Sequence, residues 1–260
     1  MSGTLPPSSA GGAGLSVPGR YGWLDVARGV AIVAMVIYHF SFDLAMFGLI
    51  DGRAPVSFPL REFARLIATS FLFLVGIGLV IGHGTGIRWA SFWRRFAVIA
   101  GAAGCITAGT WIAALYTGVD TFLIYFGILH MIAVGSLAAL PLVAAPWWLA
   151  ALAALAVAWI GLGTDLSIGS SAWLWWTGLT DVRAQSFDFV PFFPAFAAVA
   201  AGVAAAKLFG LGRPAPATPA RPATAFSRAL AWAGRRSLPI YIVHQPILIG
   251  LLWLFVKIAY

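Results

Sequence analysis

Residues 24–47 read LDVARGVAIVAMVIYHFSFDLAMF, and this stretch decides the fold. It is long and apolar enough to cross a bilayer, whose hydrocarbon core takes about 20 residues of helix. It also carries Asp25, Arg28, His39 and Asp43. At about 100° of rotation per residue, Arg28 lies roughly 20° from His39 around the helix, and Asp25 and Asp43 roughly 40° from it. All four therefore share one face. Ionisable groups inside a span are costly, so such a face is a functional-site hypothesis by default.

The rest of the chain has the same character. Hydrophobic residues make up 61% of the 260 positions and charged residues 9%. That composition belongs to a polytopic membrane protein, and the apolar runs are far longer than the ~10-residue alternating segments of a membrane barrel. The net charge of +8 does not indicate nucleic-acid binding, because the basic residues sit at span ends. The single cysteine, Cys105, excludes a disulfide framework.

The expected architecture is all-α, a bundle of about seven transmembrane helices near 24–48, 61–82, 92–116, 122–144, 147–163, 191–209 and 236–258. Residues 1–20, rich in Gly, Ser, Pro and Ala, form a flexible tail rather than a signal peptide. Residues 21–260 form one membrane domain. Basic residues concentrate on one side of this topology: Arg20, Arg28, Arg88, Arg94, Arg95, Lys207, Arg213, Arg221, Arg228, Arg235 and Arg236. Arg53, Arg61, Arg65, Arg183 and Lys257 fall on the other, with Asp43, Asp51, Glu62, Asp120, Asp165, Asp181 and Asp188. The positive-inside rule then places the N-terminus in the cytoplasm of a bacterial-type membrane.

Two loops stand apart. The cytoplasmic loop 210–230 is Pro- and Arg-rich and reads as a disordered connector near anionic lipid. The outer loop 164–190 carries Trp173, Trp175, Trp176, Asp181 and Asp188. It reads either as an interfacial aromatic belt or as a platform for an acceptor.

Three of the four histidines fall inside spans. His39 lies roughly 21 Å along the helix from Asp25, His130 roughly 13 Å into the fourth span and His244 roughly 12 Å into the last, so all three could meet near mid-membrane. His39 has the chemistry of a general base, and Asp43, one turn later, is placed to orient its imidazole. Helix-packing hydrogen bonds are the alternative, and for His130 the more frequent one. In the last span Ser237, Tyr241, His244 and Gln245 share a broad face, with Pro239 and Pro246 able to kink the helix. The histidines are too widely separated in sequence to suggest a zinc site, and no metal is expected. Arg28, Arg94, Arg95, Arg235 and Arg236 serve either as topology signals or as a clamp for phosphate, which guanidinium groups bind in bidentate fashion.

The segments LDVARGVAIVAMVIYH, FLFLVGIGLVI, YFGILHMIAV and GRRSLPIYIVHQP, in that order, resemble the heparan-α-glucosaminide N-acetyltransferase catalytic-domain family over about residues 21–252. The first motif is also similar to the wider class of transmembrane acyltransferases that O-acetylate envelope polysaccharides. The resemblance implies acetyl transfer across the membrane, from cytoplasmic acetyl-CoA as co-substrate to an acceptor on the outer face. The motif match in the wider class puts the embedded histidine at His39; residues 40–82 contain none. The acceptor class is an amino sugar or other envelope glycan, and a heparan-type substrate is not carried over to so compact a chain. A transporter or flippase using the same polar stripe is the competing reading, although no internal repeat is evident. A non-catalytic membrane partner is a third.

Overall fold

The structure is a computed structural model that describes residues 21–118, 123–181, 186, 188–212 and 224–259. The expected tail 1–20, the middle of the 210–230 loop with Arg213 and Arg221, and the positions of Asp120 and Arg183 lie outside the described residues. Nine α-helices make up the described fold: α1 (Gly22–Met46), α2 (Leu60–His83), α3 (Trp89–Thr117), α4 (Ile128–Ala138), α5 (Leu140–Ala144), α6 (Trp147–Gly163), α7 (Phe192–Leu208), α8 (Ala225–Arg235) and α9 (Ser237–Ala259). Among the described residues there is no strand. Four helices, α1, α2, α3 and α9, are long and apolar enough to cross a membrane, and α4, α6 and α7 are shorter apolar helices.

Prolines and glycines divide the apolar runs. Pro141 ends the regular course of α4, because its ring has no N–H to donate and crowds the carbonyl four residues back. The expected fourth span at 122–144 is therefore two pieces, starting at Ile128 and broken at Ala139. Lys207, from the last turn of α7, caps the second piece. Its ammonium donates to the Val143 carbonyl at 2.6 Å and to the Ala145 carbonyl, where the helix leaves acceptors unpaired. Pro146 and Pro191 stand immediately before α6 and α7, while α9 runs on through Pro246.

Helix α8 corrects one expectation. Residues 225–230 belong to a helix, not to a disordered connector. Thr224 caps it, its hydroxyl accepting the Ser227 N–H at 3.1 Å. The helix lies against α1, where a Cβ at Gly29 would overlap the Leu230 carbonyl oxygen and one at Gly234 the Asp25 carbonyl oxygen. The two backbones touch because neither glycine has a side chain, the close approach that small residues permit in membrane helices.

The core has two parts. The larger joins α2, α4, α5, α6 and α7 around Leu72, Leu79, Met131, Val199 and Val203. The smaller joins α1 and α2 through Ile32, Met35 and Ile67, with Ala233, Ile240 and Tyr241 of α8 and α9 against it. Helix α3 buries little, and apolar side chains such as Leu155 and Leu162 on α6 face outward, as lipid-facing surfaces do. The smaller core holds α9 beside α1 and so determines what the charged stripe of α1 meets.

Candidate active site

The polar stripe of α1 faces α9. The His39 and His244 rings pack edge to face with centroids 4.9 Å apart, and Tyr38 flanks His39 at 5.6 Å. Four residues further along α1, Asp43 is fully buried, and its Oδ1 accepts a hydrogen bond of 2.5 Å from the Gln245 amide Nε2. This corrects the expected His39–Asp43 pair: the carboxylate's partner is Gln245 on α9, not the imidazole one turn back. Ser237 opens α9 and takes no part in these contacts.

The cluster is polar yet incomplete. Asp43 Oδ2, Gln245 Oε1 and His244 Nε2 are all buried without a hydrogen-bond partner among the described residues. A buried polar atom left unpaired costs about 1–3 kcal/mol, so three in one cluster are the mark of a place that receives a polar ligand or water.

Tyr241 leads from this cluster to the loop before α7. Its hydroxyl donates to Asp188 Oδ2 at 2.7 Å, and the same oxygen accepts the Ile128 N–H at 3.2 Å, at the N-terminus of α4. A Cβ at Gly127 would stand 2.5 Å from that carboxylate oxygen, so glycine makes room for it. Asp188, expected to bind an acceptor, is thus a tie between α4, α9 and the loop. Burial pushes its carboxyl up to about 6, against the smaller opposing effects of the Tyr241 and Ile128 hydrogen bonds. Because the folded value lies above the usual carboxylate range, folding favours the protonated form. The contribution to stability is complete below about pH 4 and is lost as pH rises through about 6. Asp188→Asn removes that dependence. Across pH 4 to 7, thermal unfolding in detergent is expected to show the wild type losing stability relative to the variant, and parallel curves would reject the assignment.

His130 uses both ring nitrogens structurally. Nδ1 accepts the Gly127 N–H at 3.2 Å, which leaves Nε2 as the protonated nitrogen, 3.3 Å from the Thr107 hydroxyl. Thr107 in turn donates to the Ile124 carbonyl at 2.8 Å. His130 thereby joins the start of α4 to α3 and is not brought to the His39–His244 pair.

The arginines divide. Arg28 and Arg235 flank the buried Asp25 carboxylate at 3.9 and 3.8 Å. A Cβ at Gly78 would lie 2.8 Å from the Arg28 guanidinium and 3.9 Å from that of Arg95, so the two cations converge over a bare patch of α2. Arg95 also lines a small cleft with His83, Phe92, Phe96 and Ser136, whose buried hydroxyl has no partner among the described residues. Arg94, Arg95 and Arg235 are all exposed, and Arg236 stacks over Trp232 at 4.7 Å. His83 was not among the sequence candidates; its position at the end of α2, accepting the Arg88 N–H, is visible only in the fold.

The tryptophans also divide. Trp175 packs on Tyr125 at 5.6 Å, and Trp176 on Phe126 and Phe192 at 6.0 and 5.9 Å. Trp173 is 89% exposed, and Asp181 is exposed near it in sequence.

A family model described as heparan-alpha-glucosaminide N-acetyltransferase, catalytic, matches residues 20–246. The chain belongs to this family. The match ends one residue beyond Gln245, so it contains the whole His39–Asp43–His244–Gln245 cluster and the converging arginines. Comparison with curated proteins and with solved structures gives no match. Membership in the N-acetyltransferase family, together with four apolar helices, makes this an integral membrane protein of a transmembrane acetyltransferase type.

Proposed function

We propose that the protein moves an acetyl group from cytoplasmic acetyl-CoA to an amino sugar or other envelope glycan on the outer face. The topology is seven crossings, by α1, α2, α3, the α4–α5 pair, α6, α7 and α9, with the N-terminus inside and α8 along the cytoplasmic surface. One observation carries this reading: a cluster of His39, Asp43, His244 and Gln245, with three buried polar atoms unpaired among the described residues, in a chain of this family.

The residues divide the work along α1. Arg28 and Arg95 hold the CoA phosphates, where two guanidinium groups meet over Gly78. Eleven residues of helix, roughly 16 Å, separate Arg28 from His39, a distance the pantetheine arm spans. The thioester then reaches His39 while the acceptor enters between α1 and α9. Trp173 and Asp181 on the exposed part of the outer loop receive the glycan. Of the five arginines considered, Arg28, Arg95 and Arg235 form the donor end, and Arg94 and Arg236 hold the membrane surface.

The decisive experiment supplies acetyl-CoA labelled in its acetyl group to inverted membrane vesicles containing the protein. Label is expected in a glycan or amino sugar, and its absence from every product but CoA and acetate would reject the reading. In the same assay Arg28→Ala and Arg95→Ala should each raise the acetyl-CoA KM by roughly 10- to 100-fold, the worth of a charged hydrogen bond, with little change in kcat. Arg94→Ala is the control and should leave KM within about twofold of wild type. An unchanged KM in both of the first two variants would remove the clamp.

A further inference from the structure

The two histidines of the cluster are not equivalent. His244 Nδ1 lies 2.6 Å from the Tyr241 carbonyl oxygen, one turn back on α9. A carbonyl only accepts, so Nδ1 must carry the proton and donate it. The neutral ring is thereby held as the tautomer whose Nε2 has a free lone pair. Nε2 is buried without a partner among the described residues, on a residue only 8% exposed, and the ring packs against that of His39. Asp43 Oδ2 and Gln245 Oε1, also unpaired, belong to the same cluster. These three atoms are all acceptors when Asp43 is ionised. A lining of acceptors suits a ligand that brings hydrogen-bond donors, such as the N–H and O–H groups of an amino sugar, and does not suit a thioester carbonyl.

We infer that His244 is a further catalytic residue, the base that takes the proton from the acceptor's attacking nitrogen or oxygen, and that Asp43 and Gln245 accept that substrate's neighbouring donors. The inference rests on the acetyltransferase reading above and assigns to His244 the proton transfer that the sequence left with His39. As the acceptor atom bonds to the acetyl carbon, its proton passes to His244 Nε2. The carbon–sulfur bond of the thioester then breaks with its electron pair going to the CoA sulfur. The imidazolium returns the proton to that thiolate, so the acetylated acceptor and free CoA leave with the ring neutral again. The Tyr241 carbonyl supports the charged intermediate, because the Nδ1–H it accepts becomes more acidic when Nε2 is protonated.

His244→Asn tests this. Asparagine keeps a donor near the Nδ1 position for the Tyr241 carbonyl and removes Nε2, so the fold has what it needs and the chemistry does not. In inverted vesicles given acetyl-labelled acetyl-CoA and their own endogenous acceptors, transfer is expected to fall about 10²-fold or more. Added imidazole should restore part of it, in proportion to the free-base form between pH 6 and 8. Transfer within threefold of wild type overturns the inference and leaves the acetyltransferase reading intact. A loss that imidazole does not relieve assigns His244 to structure and overturns it as well. Wild-type vesicles that transfer no label overturn both.

Discussion

His39→Ala is expected to reduce acetyl transfer by about 10²-fold, the cost of misplacing reacting groups, because its ring packs on the His244 base and stands where the thioester arrives. The same change should cost folding about 1–3 kcal/mol, through lost ring contacts and not through a stranded polar group. The His39 ring makes no hydrogen bond with any described residue, so its removal strands no buried partner. What is lost is edge-to-face contact with Tyr38 and His244, which is worth about 0.5–1.5 kcal/mol per aromatic pair. That contrast separates this position from Asp43. Asp43→Ala would leave the Gln245 amide unpaired in the interior and would cost about 1–3 kcal/mol of stability besides any activity. The measurement is labelled transfer in vesicles alongside thermal unfolding in detergent. Full transfer by His39→Ala would remove His39 from the mechanism, and a fall in melting temperature beyond the worth of those ring contacts would show that it holds the helices together instead.

The second large effect concerns the crossing of α2 and α7. A Cβ at Gly76 would overlap the Val199 carbonyl oxygen and approach Val203 N to 2.8 Å and Gly202 Cα to 3.0 Å. A Cβ at Gly202 would overlap the Phe73 carbonyl oxygen. These are backbone atoms of helices and cannot rotate aside, so a single methyl group must push the two helices apart. Both Leu72 and Val199 are almost fully buried beside this contact, and separation would open the larger core around them. Gly76→Ala and Gly202→Ala should therefore each cost about 3 kcal/mol, the upper end for overpacking, and lower the melting temperature by roughly 10 °C. The double variant should cost less than the sum, because both methyl groups fill one gap. Gly104→Ala in α3 is the control. Nothing lies within 4 Å of a Cβ there, so the helix gains up to about 1 kcal/mol from the better propensity of alanine. If Gly76→Ala and Gly104→Ala melt together, the close crossing is absent.

Much of this was legible in sequence because membrane helices write their length into the chain. The apolar runs around α1, α2, α3 and α9 are bounded by glycine, proline or charge, and a run of that length has only one way to satisfy its backbone in lipid. The break at Ala139 and the helix α8 were less so. Pro141 signals the first, but whether a proline kinks or splits a span is decided by its surroundings, and the short piece that follows is held at its far end by Lys207 of a distant helix. The polar residues of α8 merge into the Pro- and Arg-rich segment before it, and what makes it a helix is contact with α1 through Gly29 and Gly234.

The residues of the candidate site divide in the same way. Residue type and helical period by themselves determined that Arg28, His39 and Asp43 share a face of the first helix, and that Tyr241, His244 and Gln245 follow one another on the last. Those facts are local, since 3.6 residues per turn relate neighbours on one helix whatever surrounds it. Partnership is not local. Only the tertiary structure decided that His39 meets His244, that Asp43 turns to Gln245 across the interface, and that His130 and Asp188 tie helix ends together away from that pair. The reason is packing: a small core of Ile32, Met35, Ile67 and Ile240 brings α9 against α1 in one register, and that register, which no periodicity records, selects the side chains that face the cluster.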